Sequence, residues 1–160
     1  MCGILGGINI ERGVLLNSLP LLRHRGPDEE GSFTFDNVNF LHARLSIQDL
    51  TFGHQPFNHN EFTIIYNGEI YNHLELRKKH NLICKTRSDT ETLIQLYENF
   101  GINALQETDG MFAFAILDKK KRKLILARDR AGKKPLYYFC RNGKFVFGSE
   151  LNALRIIDQF

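Results

Sequence analysis

The chain has 160 residues, 42% of them hydrophobic and 24% charged, with a formal net charge of +3. That length suits one domain, and a chain of this size buries roughly two-thirds of its unfolded surface. The mild basic balance does not require nucleic acid, no apolar run reaches the ~18–20 residues of a membrane span, and three cysteines without framework spacing exclude a secreted disulfide scaffold. The expected setting is the reducing cytoplasm, with no signal peptide ahead of Cys2 and with Cys84 and Cys140 as inert core residues.

Cys2 to Asn9 reads as a buried strand whose glycines let backbones approach closely. Residues 13–23 are weakly helical and interrupted by Pro20. Gly31 to Asp36 and Asn39 to Leu45 alternate as strands do, and Phe62 to Tyr66 is a further apolar strand. Asn72 to His80 is a short helix. The clearest helix spans 88–100. Ser88 and Glu91 form a capping-box pattern, Leu93, Leu96, Tyr97 and Phe100 make one apolar stripe, and Gly101 suits the stop. Met111 to Leu117 and Leu124 to Arg128 are strands joined by a basic, solvated turn at 119–123. Leu136 to Cys140 and Phe145 to Gly148 form a hairpin around Asn142-Gly143, and Ser149 to Ile157 a terminal helix. Many strands with short connections, and helices outside the strand runs, predict antiparallel sheets and an α+β fold.

Cys2 carries the most chemistry. Removal of Met1 would leave a thiol and a free α-amine on one residue, so the amine could serve as the nucleophile's own general base. An α-amine titrates near about 7.7–8.0, which leaves a useful share neutral at cellular pH. Retention of Met1 would acylate that amine and leave an inactive precursor.

Four further segments each admit two readings. Asn67-Gly68-Glu69 is either a hairpin turn or an oxyanion hole built from a side-chain amide and a glycine N–H. Arg44, inside an apolar stretch, is either an internal salt bridge or a bidentate clamp for a substrate carboxylate. Asp89, in the first turn of the capped helix, either complements the helix dipole or holds a substrate ammonium. Arg23 to Asp28 is either a helix exit or a hydrogen-bonded loop bracing a site. Six histidines show no zinc-like spacing, and Gly132-Lys133 is not a phosphate loop, because Ala127 and Lys134 occupy positions that need other residues.

Taken in order, these segments resemble one family, the glutaminase domain of class II glutamine amidotransferases, in its asparagine synthetase branch. The likeness runs from Cys2-Gly3-Ile4 to Ser149-Glu150-Leu151. It passes through Arg25-Gly26-Pro27-Asp28, Arg44-Leu45-Ser46-Ile47, Asn67-Gly68-Glu69-Ile70-Tyr71-Asn72, Ser88-Asp89-Thr90-Glu91, Gly110 to Ala115 and Arg128 to Tyr138. The resemblance implies a four-layer αββα sandwich of the N-terminal nucleophile hydrolase type. It also implies hydrolysis of L-glutamine to glutamate and ammonia through a γ-glutamyl thioester on Cys2. Asn67 and Gly68 would stabilise the oxyanion. Arg44 would hold the α-carboxylate, Asp89 with Glu69 the α-ammonium, and the Leu45–Gln48 stretch, including Ile47, would line the pocket. Arg87 and Ala131 depart from the family's usual residues.

The same resemblance implies a synthetase domain or subunit that receives the ammonia. Its Ser-Gly-Gly-x-Asp-Ser type loop does not occur in this chain, so residues 1–160 read as the glutaminase domain alone. ATP and Mg are expected only with the synthetase part, and no cofactor or metal is expected here. The implied partners are L-glutamine and the ammonia acceptor, without nucleic acid or membrane, and a homodimer is left open. Phe139, Phe145 and Phe147 are candidates for an exposed docking patch. The competing reading is a non-catalytic module that senses glutamine or binds a partner. A third keeps the fold and changes the amide substrate.

Overall fold

Alternation along the strands sorts the apolar residues into three buried layers, and those layers place everything else. The computed structural model describes residues 1–158. One antiparallel sheet contains β1 (Gly3–Ile8), β2 (Glu29–Phe35), β3 (Val38–Arg44), β8 (Tyr137–Arg141) and β9 (Lys144–Gly148), in the order β2-β3-β1-β9-β8. The other contains β4 (Phe57–His59), β5 (Phe62–Ile70), β6 (Gly110–Asp118) and β7 (Lys123–Arg128), in sequence order. Ile4, Phe40, Ile65, Ala113, Ala115 and Phe147 fill the space between the sheets. The intervening residues point outward on both sides, as period-two alternation requires.

Each outer face carries helices. Leu5, Leu41, Ala43 and Val146 pack under α1 (Arg12–Ser18), the 3-10 turn Leu19–Leu22 and α4 (Leu151–Asp158). Ile64, Tyr66, Phe112, Phe114 and Ile116 pack under α2 (His73–Lys79) and α3 (Asp89–Phe100). The architecture is therefore helix, sheet, sheet, helix, the four-layer α+β sandwich expected.

Several local expectations are corrected. Asn67-Gly68 is not a turn. β5 runs on to Ile70, and Asn67 and Gly68 stand opposite Ala113 and Phe112 of the nine-residue β6. A Cβ on Gly68 would lie 2.4 Å from the Met111 carbonyl oxygen, so glycine is required by close approach rather than by turning. Asn142-Gly143 does turn, with both residues at positive φ (50° and 72°) as a two-residue hairpin requires.

The capping box is half made. Ser88 Oγ accepts from Thr90 N–H, but the Glu91 carboxylate turns to Lys85 N–H, Thr86 N–H and Thr86 Oγ–H. Leu93 and Leu96 of the apolar stripe are buried with Ile94, whereas Phe100 is exposed. β4 escaped the sequence reading because three residues are too few to show alternation. Cys140 is exposed on the edge strand β8 and Cys84 only half-buried, so neither is a core residue. Phe147 is wholly buried between the sheets against Phe40, and Phe139 and Phe145 are partly buried. The exposed rings of that region are Tyr137 and Tyr138.

Candidate active site

The layer arrangement brings Cys2 and Asn67 together from opposite sheets. Cys2 precedes β1 by one residue and shares the parity of Ile4, and Asn67 follows Ile65 by two in β5. Both residues therefore lie on the faces that meet between the sheets. They line a cavity of about 140 Å³ at one end of the sandwich. Arg44, Leu45, Ile47, Gly68, Glu69 and Asp89 line it too, so all eight residues singled out from the sequence converge on one space.

The thiol is held by the segment after β3. Leu45 N–H donates to Cys2 Sγ at 3.4 Å, and the thiol lies 3.7 Å from the Leu45 carbonyl oxygen. Burial pushes the thiol pKa up, while the Leu45 contact, the chain's α-amine and the charges of Arg44 and Lys134 pull it down. The α-amine of Met1 is itself lowered, chiefly by burial. The Arg23–Asp28 loop braces this corner. Arg25 Nε donates to the Cys2 carbonyl at 3.1 Å, Arg25 Nη1 pairs with Glu150, and Asp28 Oδ2 accepts from Ser46 N–H at 2.7 Å.

Asn67 is 1% exposed, and its Nδ2 has no hydrogen-bond partner among the described residues. A buried amide donor left unpaired costs about 1–3 kcal/mol, so it marks a place where an acceptor belongs. The residue that carries it lines the same cavity as Cys2. That is the arrangement an acyl-transfer site needs, with a donor fixed in place before charge develops.

Arg44 makes the internal salt bridge of its first reading and stands on the cavity wall. Its Nη1 pairs with Glu29 at 2.8 Å and its Nη2 donates to the Asp49 carbonyl at 2.8 Å, yet the side chain also lines the cavity. Asp89 does more than sit at a helix start. Its Oδ2 accepts from Tyr66 Oη–H at 2.7 Å and from Ile70 N–H at 2.9 Å. Burial pushes the Asp89 carboxyl up, and those two donors pull it back. Glu69 Oε1 accepts from the Gln48 amide at 3.2 Å.

Sequence reasoning missed three contributors. Tyr66 is pinned at every polar atom: Gln55 Oε1 accepts from its N–H at 2.6 Å, Asp89 takes its hydroxyl, and its carbonyl lies 3.1 Å from His42 Nε2. A carbonyl can only accept, so Nε2 carries the proton. His42 is fully buried in β3 and bridges the two sheets, and burial lowers its pKa to about 4. Lys134 is the third, a 4% exposed lysine on the cavity wall. Only the polar character of His42 and Lys134 within apolar or turn-like surroundings could have flagged them.

Two stacked antiparallel sheets between helices, with Cys2 and Asn67 lining one cavity, make the fold one of the N-terminal nucleophile hydrolase type. Two solved structures share it at 22% identity. The structure of the allosteric regulatory enzyme of purine biosynthesis matches with a TM-score of 0.84, covering 98% of this chain and 43% of that one. Glutamine phosphoribosylpyrophosphate amidotransferase from B. subtilis matches with a TM-score of 0.80, covering 98% and 44%.

Within that class the chain belongs to the glutamine amidotransferase domain family, whose sequence profile matches residues 1–160. Among curated relatives, asparagine synthetase [glutamine-hydrolyzing] 2 of Bacillus subtilis is 41% identical over 96% of this chain and 22% of its own length. Asparagine synthetase B [glutamine-hydrolyzing] of Escherichia coli is 38% identical over 100% of this chain and 32% of its own. The chain thus spans between about a fifth and a third of the length of these relatives.

Proposed function

We propose that this chain hydrolyses L-glutamine to L-glutamate and ammonia, and that the ammonia serves an asparagine-synthetase-type amidation in an attached domain or separate subunit. The observation that carries the reading is the buried, unpartnered Asn67 Nδ2 in the cavity of the Cys2 thiol. Family membership and the two asparagine synthetase relatives support the substrate.

The chemistry follows from the residues. With Met1 removed, the Cys2 α-amine takes the thiol proton and Sγ attacks the side-chain amide carbon of glutamine. The carbonyl oxygen becomes an oxyanion held by Asn67 Nδ2 and Gly68 N–H. The amine returns its proton to the leaving nitrogen, the C–N bond breaks, and ammonia departs from a γ-glutamyl thioester. Water, deprotonated by the same amine, attacks the thioester. The C–S bond breaks, glutamate leaves, and the proton restores the thiol. Arg44 holds the α-carboxylate, and Asp89 with Glu69 the α-ammonium. An analogue lacking either charge leaves a buried counterpart unpaired, which is the basis of specificity.

This reaction needs neither ATP nor Mg. Those belong to carboxylate activation in the acceptor. Ile47, Leu50 and Phe52 are 62–70% exposed on the segment beside the cavity, which supports a partner that covers its mouth. A reducing cytoplasm suits a chain whose three cysteines are free. The test is glutamate release from L-glutamine by the parent chain and by Cys2→Ala, with intact mass reporting Met1. Release that vanishes in the variant supports the proposal. Equal release from both overturns the role of Cys2, and none from a parent that lacks Met1 overturns the proposal in favour of a binding module.

A further inference from the structure

Three buried cations surround Cys2, and one of them lacks a carboxylate of its own. Arg25 has Glu150 and Arg44 has Glu29. Lys134 is 4% exposed, and among the described residues its Nζ forms no salt bridge with its nearby carboxylates, Glu69 and Asp129. The loop carrying it is firmly held. Asp129 Oδ2 accepts from Lys134 N–H at 2.9 Å, Asp129 Oδ1 accepts from Lys133 N–H at 2.9 Å, and the Lys134 carbonyl accepts from Arg128 Nε at 2.7 Å. The side chain is thereby committed to the wall of the Cys2 cavity. A largely buried ammonium without a paired carboxylate is costly, and a fixed positive charge on the cavity wall favours an anion that forms beside it.

We propose that Lys134 is a fixed countercharge for Cys2, biasing the thiol toward thiolate and the α-amine of processed Cys2 toward its free base. The inference rests on the function proposed above. Lys134 acts through Cys2 rather than on glutamine, so it is a positioning charge and not a catalytic residue.

The other charges in the neighbourhood are few. Lys134 is faced by Arg25, Cys2, Glu69 and Asp129. Cys2 is faced by Arg44 and the α-amine, and that amine by Arg25 and Asp28. Glu69 and Asp129 offset part of the ammonium's field, but Asp129 is already engaged by backbone donors. Removing the Lys134 charge therefore raises both the thiol and the amine pKa. The two effects act in the same direction, and the enzyme needs a higher pH to work.

The test compares the parent with Lys134→Met, Lys134→Gln and Lys134→Arg. Two profiles are measured against pH: kcat/KM for glutamate release, and the rate of Cys2 alkylation by iodoacetamide, read by peptide mass with exposed Cys140 as the reference thiol. Both neutral variants should move the acid limb of kcat/KM and the Cys2 alkylation profile upward by about 0.5–1 pH unit. KM for L-glutamine should change little, and Lys134→Arg should stay near the parent. Thermal midpoints of the neutral variants should hold or rise, since an unpaired buried charge is gone.

Superimposable profiles in parent and neutral variants overturn the inference, as does an equal shift in Lys134→Arg. Alkylation requires no glutaminase turnover. A shift in alkylation without glutamate release in the parent therefore sustains the countercharge and removes the function, and release without any shift does the reverse.

Discussion

Replacing Asn67 by Ala separates function from stability more sharply than any other single change. Its Nδ2 is buried and unpartnered on a residue that lines the Cys2 cavity, so it makes no hydrogen bond in the resting fold that its loss would break. An orphaned buried donor costs about 1–3 kcal/mol, and deleting it releases that penalty against the modest packing lost with a small amide. The variant should therefore unfold within about 1 kcal/mol of the parent, or be more stable. Loss of one oxyanion donor, by contrast, costs about 10²–10³ in kcat, or about 2.7–4 kcal/mol at the transition state. The assays are urea unfolding and steady-state glutamate release on the same preparations. A drop in kcat of less than about tenfold would refute the oxyanion assignment, because among the described residues no other side-chain amide donor lining the cavity is left buried and unpaired. A stability loss above about 2 kcal/mol would show the amide to be structural instead.

Four further outcomes follow from the same contacts. His42 is neutral in the fold, with its pKa lowered from 6.5 to about 4, so the unfolded chain binds the extra proton between those values. Stability present above pH 6.5 is lost as pH falls toward 4, by about 3 kcal/mol from this group, and urea unfolding of His42→Gln at pH 7 and 4.5 should show a clearly weaker dependence. Arg44→Lys cannot span Glu29 and the Asp49 carbonyl while still facing the cavity, so KM for L-glutamine should rise at least about tenfold; an unchanged KM would return Arg44 to a purely internal ion pair. Gly68→Ala puts a methyl 2.4 Å from the Met111 carbonyl oxygen and 2.7 Å from Phe112 Cα, both backbone, so denaturant unfolding should report a loss of about 1–3 kcal/mol. Ser88→Ala removes the Thr90 N–H acceptor at the start of α3 and should cost about 1 kcal/mol by the same measurement.

What the sequence disclosed and what it hid divide along a physical line. Strands with alternating burial, the capped helix at 88–100 and the Asn142-Gly143 hairpin are local patterns, and each forms where its pattern lies. Cys2, Arg44, Asn67, Gly68, Glu69 and Asp89 were legible as an ordered set of motifs, and the fold collects them around one cavity. Asn67-Gly68 shows the limit of local reading. Its dipeptide favours a turn, but nine residues of β6 pair along β5 and hold it extended. Glu91 likewise obeys tertiary demand, because residues 85–86 present backbone donors that its carboxylate satisfies in place of the helix start. The partnerships of His42 with Tyr66, 24 positions away, and of Arg25 with Glu150, 125 away, exist only once the sheets and layers have stacked. No spacing rule could announce them.

In the proposed reaction Cys2, with its α-amine freed, is acylated by glutamine through an attack that Asn67 supports. An electrophilic chloroketone analogue of L-glutamine tests it directly, followed by peptide mass mapping. One adduct is expected, on Cys2 of a chain lacking Met1, formed fastest in the parent, slowed by L-glutamine and by Asn67→Ala, with exposed Cys140 unlabelled. Labelling that falls on Cys140 as readily as on Cys2, or that L-glutamine does not slow, would contradict it.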